Sequence, residues 1–214
     1  MSFGSFFKSL VGTIASALSS SVEESETRTN QIQVLDVKVD SPFDFDLVDA
    51  GDVITLKKNA KFRLDIKRFA NIDGKKKWHK AQMTVNFEKG FKTNGTSSPK
   101  FVYLQLPAYI AGKDKNSNVY NAAAFIHDGL YACKGIIEEE GKSNNKNNKN
   151  RYTLTRKECD NILSEIWLQS KFVGEATAKI AGGGTTIFAG GSDHWDNDDY
   201  KCKEHFSVKI KYLT

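Results

Sequence analysis

In several runs between Gln31 and Phe87 the apolar residues of this chain alternate with polar ones, and in two runs between Ser117 and Phe172 they recur at spacings of three and four. Side chains of a strand alternate between two faces, whereas those of a helix share a face every third or fourth residue. One chain therefore carries a strand-forming first half and a helical second half, the pattern of an α+β domain. Ile32, Val34, Val37 and Val39 predict one strand, Val53, Ile54 and Leu56 another, and Phe62, Leu64 and Ile66 a third. Asp73 and Gly74 then mark a turn into a fourth, where Met83, Val85 and Phe87 alternate. Phe206, Val208, Ile210 and Tyr212 alternate again near the end and predict a last strand joining the same antiparallel sheet.

The whole chain has 214 residues, enough for one domain with an appended arm. Its 31 basic and 26 acidic residues leave a formal charge of +5, short of the concentrated charge of a dedicated nucleic-acid binder, so no specific nucleic acid is expected as a partner. Lysines 75, 76, 77 and 80 crowd the hairpin tip and read as a solvated loop with Trp78 tucked beneath it. Three scattered cysteines, Cys133, Cys159 and Cys202, make no disulfide framework and imply a reducing compartment.

Residues 1–20 read as a separate amphipathic helix. Phe3, Phe6, Phe7, Leu10, Val11, Ile14 and Leu18 share one face, opposite Ser5, Lys8, Ser9, Thr13 and Ser16. The apolar run after Lys8 is short and starts late, which argues against a secretory signal. Residues 21–30 look like a linker, and residues 31–214 like a single domain. The aromatic face either packs on that domain or docks on a membrane surface or a partner protein's groove. Oligomerisation is left open.

Three segments bear candidate chemistry: GFKTNGTSSP at 90–99, HDGLY at 127–131 and TRKECD at 155–160. The first is a sharply turned loop rich in backbone carbonyls and hydroxyls, with Asn94, Gly95 and Ser97 at its centre, suited to ligating a hard cation or to turning a corner. The second lies in a helix predicted over 117–133, where His127 and Tyr131 share a face and adjacent Asp128 points elsewhere. The third opens a helix at 156–172: Thr155 and Glu158 match a capping box, and Arg156 and Asp160 fall in its first turns. KSNNKNNKN, between the helices, reads as an unstructured excursion.

If the helices pair antiparallel, Asp160 reaches the His127 ring. A carboxylate that fixes a histidine's tautomer makes it a general base, and a neighbouring cation on Asp128 would polarise a carbonyl or phosphoryl group. Those residue types describe a metal-assisted hydrolase. They equally describe a buried polar clamp between two helices, in which His127, Tyr131, Arg156 and Asp160 satisfy one another.

The ordered set of loop, HDGLY helix and helix start resembles a phage- and prophage-encoded family of unknown function, found as small stand-alone or virion-associated proteins. The resemblance covers about 87–172. This chain has Asn94 where that family usually has aspartate, and Cys159 where it commonly has alanine. The same AAxxHDxxY helix, followed by a helix bearing an aspartate, is similar to the catalytic core of the phospholipase A-two superfamily. That likeness implies that His127 activates water, Asp160 orients it, and Asp128 with loop oxygens near Gly95 ligates calcium. Together the resemblances imply a phage virion or host-cytoplasm protein whose arm meets other virion proteins or a membrane. DHWDNDDY at 193–200 concentrates acids but lacks the spacing of a calcium loop, and reads as solvated.

Overall fold

One long antiparallel hairpin carries the rest of the domain. In the computed structural model β4 spans Ala60–Ile72 and β5 spans Lys75–Phe87, paired antiparallel without a break from Ala60↔Phe87 to Ile72↔Lys75. Ile72 and Lys75 are partners, so two residues separate the strands, the spacing that Asp73 and Gly74 predict. The structure describes residues 32–48, 53–72, 75–93, 95, 106–107, 109–139, 151–175, 177–178 and 204–213, which belong to one compact unit, Ile32–Thr214. The arm with its seven apolar site residues, Phe3 to Leu18, lies outside the described residues, as do Asn94, Ser97 and the 193–200 segment.

β1 (Ile32–Ser41) pairs antiparallel with β4, and β9 (Phe206–Tyr212) with the other side of β5. Two further strands, β7 (Ile136–Glu139) and β8 (Arg151–Thr153), extend the sheet to six in the order β1-β4-β5-β9-β7-β8. The final strand thus joins the sheet as expected. The sheet is not wholly antiparallel, however, because β7 runs parallel to β9. The two strands also flank the asparagine- and lysine-rich segment that the sequence marks only as an excursion.

A second correction concerns Val53, Ile54 and Leu56. They form β3 (Val53–Leu56) in a separate three-stranded sheet with β2 (Phe45–Val48) and β6 (Lys92–Thr93). The short β6 ties the loop at 90–99 to this small sheet through Ile54↔Thr93.

Two helices complete the fold, α1 (Lys115–Ala132) and α2 (Arg156–Ser170). Helix α1 is buried from Ser117 to Ile126 without interruption, so the apolar stripe expected on it understates its position. Its polar residues are answered individually. Asn118 Oδ1 accepts from Phe43 N at 2.7 Å, and Asn121 brackets Ile110, accepting from its N–H at 2.9 Å and donating to its carbonyl at 3.0 Å. Helix α2 opens with the capping box foreseen for Thr155 and Glu158.

Glu158 has a second role. Its carboxylate receives Arg68 Nε at 2.9 Å and Nη2 at 3.2 Å, in an ion pair whose side chains are 9% and 2% exposed. Arg68 also donates to Thr153 O and to the Tyr212 hydroxyl, at 3.0 and 3.3 Å. Burial opposes the Arg68 charge, but the bonds to Glu158 outweigh it and raise the guanidinium's pKa.

Phe43, Phe62, Phe87, Phe91, Phe125 and Phe206 meet in one aromatic cluster between sheet and helix. Gly129 is the glycine of HDGLY, and a Cβ there would stand 2.5 Å from the Phe206 ring. Its lack of a side chain lets β9 close against α1. Cys133, at the end of α1, is disulfide-bonded, which corrects the expectation of reduced thiols throughout, while Cys159 is free and buried. Among the described residues no helix is long and apolar enough to cross a membrane.

Candidate functional site

His127 stands one turn from the end of α1, and Asp160 in the second turn of α2. His127 Nε2 lies 3.0 Å from Asp160 Oδ1. Asp160 is 1% exposed, and the His127 side chain keeps 12% of its surface. The HDGLY and TRKECD segments are thus joined by a charge-capable hydrogen bond with the histidine ring partly exposed.

The same carboxylate oxygen accepts from the Tyr131 hydroxyl. Tyr131 follows His127 by one helical turn, and their ring centroids lie 4.1 Å apart. Arg156 Nε donates to the phenol oxygen at 3.2 Å. Burial first, and then the neighbouring Asp160 charge, push the Tyr131 pKa far above that of an ordinary phenol. Tyr131 is therefore a neutral donor to Asp160 at neutral pH. His127, Tyr131, Arg156 and Asp160, named from the sequence, form one contiguous network.

Nε2 faces Asp160, which leaves Nδ1 as the other imidazole nitrogen. Among the described residues Nδ1 makes no hydrogen bond. A carboxylate on one nitrogen and an unused second nitrogen is the tautomer arrangement of a general base: Nε2–H donates to Asp160, and the Nδ1 lone pair takes a proton.

Asp128 faces a different neighbour. Thr93 Oγ1 donates to Asp128 Oδ2, and Thr93 in turn accepts from Gly95 N at 3.1 Å. Thr93 belongs to the GFKTNGTSSP loop but was not singled out by sequence; a hydroxyl one residue before the expected ligand Asn94 was the available signal. Gly95 is buried with φ of 69°, and it engages this chain through its amide. The loop and the HDGLY motif therefore converge, through Thr93.

The calcium role implied for Asp128, Asn94 and Gly95 has a thinner basis. Calcium takes about six to eight oxygen ligands. Among the described residues, no group of three or more His, Cys, Asp or Glu side chains is placed to hold a metal ion. Asp128 offers one carboxylate, and Thr93 already occupies one of its oxygens. Asn94 and Ser97, the other loop residues expected at such a site, lie outside the described residues.

Cys159, beside Asp160, is fully buried, and burial followed by the adjacent Asp160 and Glu158 charges drives its thiol pKa well above the usual value. It is an inert core residue rather than a nucleophile.

The fold and site define an α+β domain with a histidine–carboxylate pair between two helices. Compared with protein-family models, curated proteins and solved structures, the chain matches none.

Proposed function

We propose that the protein is a phage-associated hydrolase in which His127 activates water and Asp160 holds the ring. The observation that carries this reading is the 3.0 Å contact between His127 Nε2 and Asp160 Oδ1 with the ring partly exposed. Water on the Nδ1 side loses a proton to the imidazole as it attacks a carbonyl carbon, the imidazolium is stabilised by Asp160, and it returns that proton to the leaving alcohol as the tetrahedral intermediate collapses and the ester C–O bond breaks. Tyr131 and Arg156 keep the carboxylate and phenol fixed, so the ring pays little reorganisation during the transfer. A phospholipid ester is the substrate class, on the likeness of the two motif helices to the phospholipase A-two core. That likeness, and the antiparallel crossing of the helices it entails, stand on the HDGLY and TRKECD segments. Placement in a virion or host cytoplasm rests on the resemblance to the phage family. The amphipathic arm, Phe3 to Leu18, delivers the domain to a membrane or to other virion proteins.

A specific observation favours a second reading. Asp160 is almost wholly buried and receives two donors from α1, which is what a structural clamp between helices requires. In that case the protein is a non-catalytic virion or assembly component that works through its arm.

Fatty-acid release from phospholipid vesicles, measured with and without calcium, separates the two. The hydrolase reading expects release that His127→Ala abolishes while the melting temperature stays near that of the wild type. No release from lipids or simple esters, together with a large loss of melting temperature in His127→Ala, establishes the clamp instead. Deleting residues 1–22 is expected to reduce vesicle binding or particle incorporation; if both are unchanged, the role given to the arm is wrong.

A further inference from the structure

The alternation that buries one face of β4, β5 and β9 places their remaining side chains together on the other face. Phe62, Leu64, Ile66, Met83, Val85, Val208 and Ile210 point into the core. The outward positions of β4 include Lys61, Arg63 and Lys67, and those of β9 include Lys209 and Lys211. Asp65 is the one acid among the outward residues of these three strands. A modest net charge of +5 for the chain thus conceals a strongly basic sheet face.

At one side Arg63 bonds Asp40, and Asp65 is itself taken by Lys38 of β1. Lys209 has the acid Glu138 of β7 as its cross-strand partner, whereas Lys67, Lys80 and Lys211 have no ion pair among the described residues and lie close to one another. Lys67 is the direct cross-strand partner of Lys80, and Lys211 pairs with Gln82, two residues along β5 from Lys80. Like charges set opposite one another in a sheet are destabilising. A fold that keeps three lysines on adjacent strands carries a cost that an anionic ligand relieves.

The next row of the hairpin supplies aromatics. Phe69 pairs with Trp78, their ring centroids 5.8 Å apart, and Lys76 Nζ lies 5.8 Å over the Phe69 ring. Trp78 is 39% exposed, not tucked beneath the lysines as its sequence position suggests. Along β5 the outward row then continues through Lys80 to the hydrogen-bonding side chains Gln82, Thr84 and Asn86. Alternate residues on a strand are about 6.8 Å apart and neighbouring strands about 4.8 Å. Cations at those intervals beside an exposed indole match a flexible phosphodiester backbone with unstacked bases, the combination by which single strands are held.

We propose that this outer sheet face, centred on Lys67, Lys80 and Lys211 with Trp78 at its edge, binds single-stranded nucleic acid without sequence preference. It is distinct from the His127–Asp160 site, because Lys67, Lys80 and Lys211 sit on the solvent side of the sheet and the helices pack on the other. An anionic bilayer is the competing occupant, but interleaved amide and hydroxyl side chains suit base edges and sugars better than acyl chains.

The test is fluorescence anisotropy of the full chain with labelled 30-nucleotide oligomers of several sequences, titrated at a series of salt concentrations. Binding of similar strength across sequences is expected, with log affinity falling against log salt at a slope of about −2 to −3, as three to four phosphate contacts on a single strand give. The combined Lys67→Gln, Lys80→Gln and Lys211→Gln variant should weaken binding tenfold or more and flatten that slope by about 2. Its melting temperature should equal or exceed the wild-type value, since the like-charge contacts are gone. Trp78→Ala should independently weaken binding about fivefold or more. His127→Ala should bind the oligomers normally, so failure of the hydrolase reading leaves this one standing. Absence of oligomer binding at low salt, affinity unchanged in both variants, or binding to phosphatidylglycerol vesicles but not to oligomers overturns the proposal.

Discussion

His127 meets Asp160 through Nε2, which leaves Nδ1 as the nitrogen that would take a proton. The tautomer is therefore set from the buried side of the site, and Asp160→Asn tests it. An amide at 160 keeps the shape but can donate to Nε2, favouring the tautomer with its proton on Nδ1, where the base is needed. If the protein hydrolyses esters, kcat should fall by about 10³–10⁴, the scale seen when a histidine-orienting aspartate is neutralised. Steady-state kinetics on a soluble ester check this, and unchanged kcat in a folded variant rules out an orienting role for Asp160.

Tyr131 offers a spectroscopic test that needs no substrate. Its phenol is held neutral by burial and by Asp160, so its folded pKa exceeds its unfolded one. As pH rises through about 10, the unfolded chain loses this proton and the folded chain does not, so stability contributed by the phenol is present at lower pH and lost in alkali. Tyr131→Phe should leave the ultraviolet rise from ionising tyrosines unchanged up to about pH 11 while the protein is folded. Its melting temperature should also decline less steeply than the wild type's between pH 9 and pH 11. A phenol signal missing from the variant near pH 10 contradicts the buried assignment.

Much of this site was legible in sequence because its signals are local. His127 and Tyr131 share a face by helical period alone, and Thr155 with Glu158 announces where α2 begins, which fixes Asp160 relative to it. The inner part of the long hairpin was legible for the same reason, since Phe62 to Ile66 and Met83 to Phe87 alternate cleanly, but Lys75–Lys80, read as a solvated loop, continue β5 because lysines give no alternation to count. What escaped depends on partners far away in the chain. β6 has two residues and β8 three, too few to show a period, and the parallel β7–β9 pairing joins Glu138 to Lys209 with no local trace. Asn118 and Asn121 look like surface residues until Phe43 and Ile110 arrive to bond them. The requirement for glycine at 129 is set by Phe206, on a strand whose own sequence gives no hint of the contact.

Arg68 and Glu158 form a buried pair that sequence also did not show, and its energetics are asymmetric. Removing one partner strands a charge in a low-dielectric interior, at about 3–5 kcal/mol. Arg68→Met should therefore destabilise by that amount, read as a shift in the denaturant midpoint at unchanged m-value. Adding Glu158→Gln, which keeps the capping-box acceptor but removes the charge, should restore part of the loss. A double variant as unstable as the sum of the singles would show that the two groups do not act as a pair.

Glu165 links α2 to the edge of the sheet and gives a prediction in the opposite pH direction from most carboxylates. Its carboxylate accepts from Val34 N, and Gln169 Nε2 donates to Val34 O at 3.1 Å, so two helix side chains satisfy the backbone of the edge strand β1. Burial raises the Glu165 pKa above its ordinary value of 4.5, and the Val34 hydrogen bond only partly offsets this. The folded state thus holds its proton more tightly than the unfolded state. Stability is greatest below pH 4.5 as far as this group is concerned, and it is lost as pH rises through the folded pKa. Glu165→Gln keeps an oxygen for Val34 N without a charge to bury. It should melt higher than the wild type at pH 8, with the difference shrinking as pH falls toward 4.5. Melting curves of both proteins across that range decide the matter, because other titrating groups are common to the two and cancel in the difference. A wild type that is the more stable of the pair at pH 8 would mean that the ionised carboxylate at Val34 is worth more than its desolvation costs.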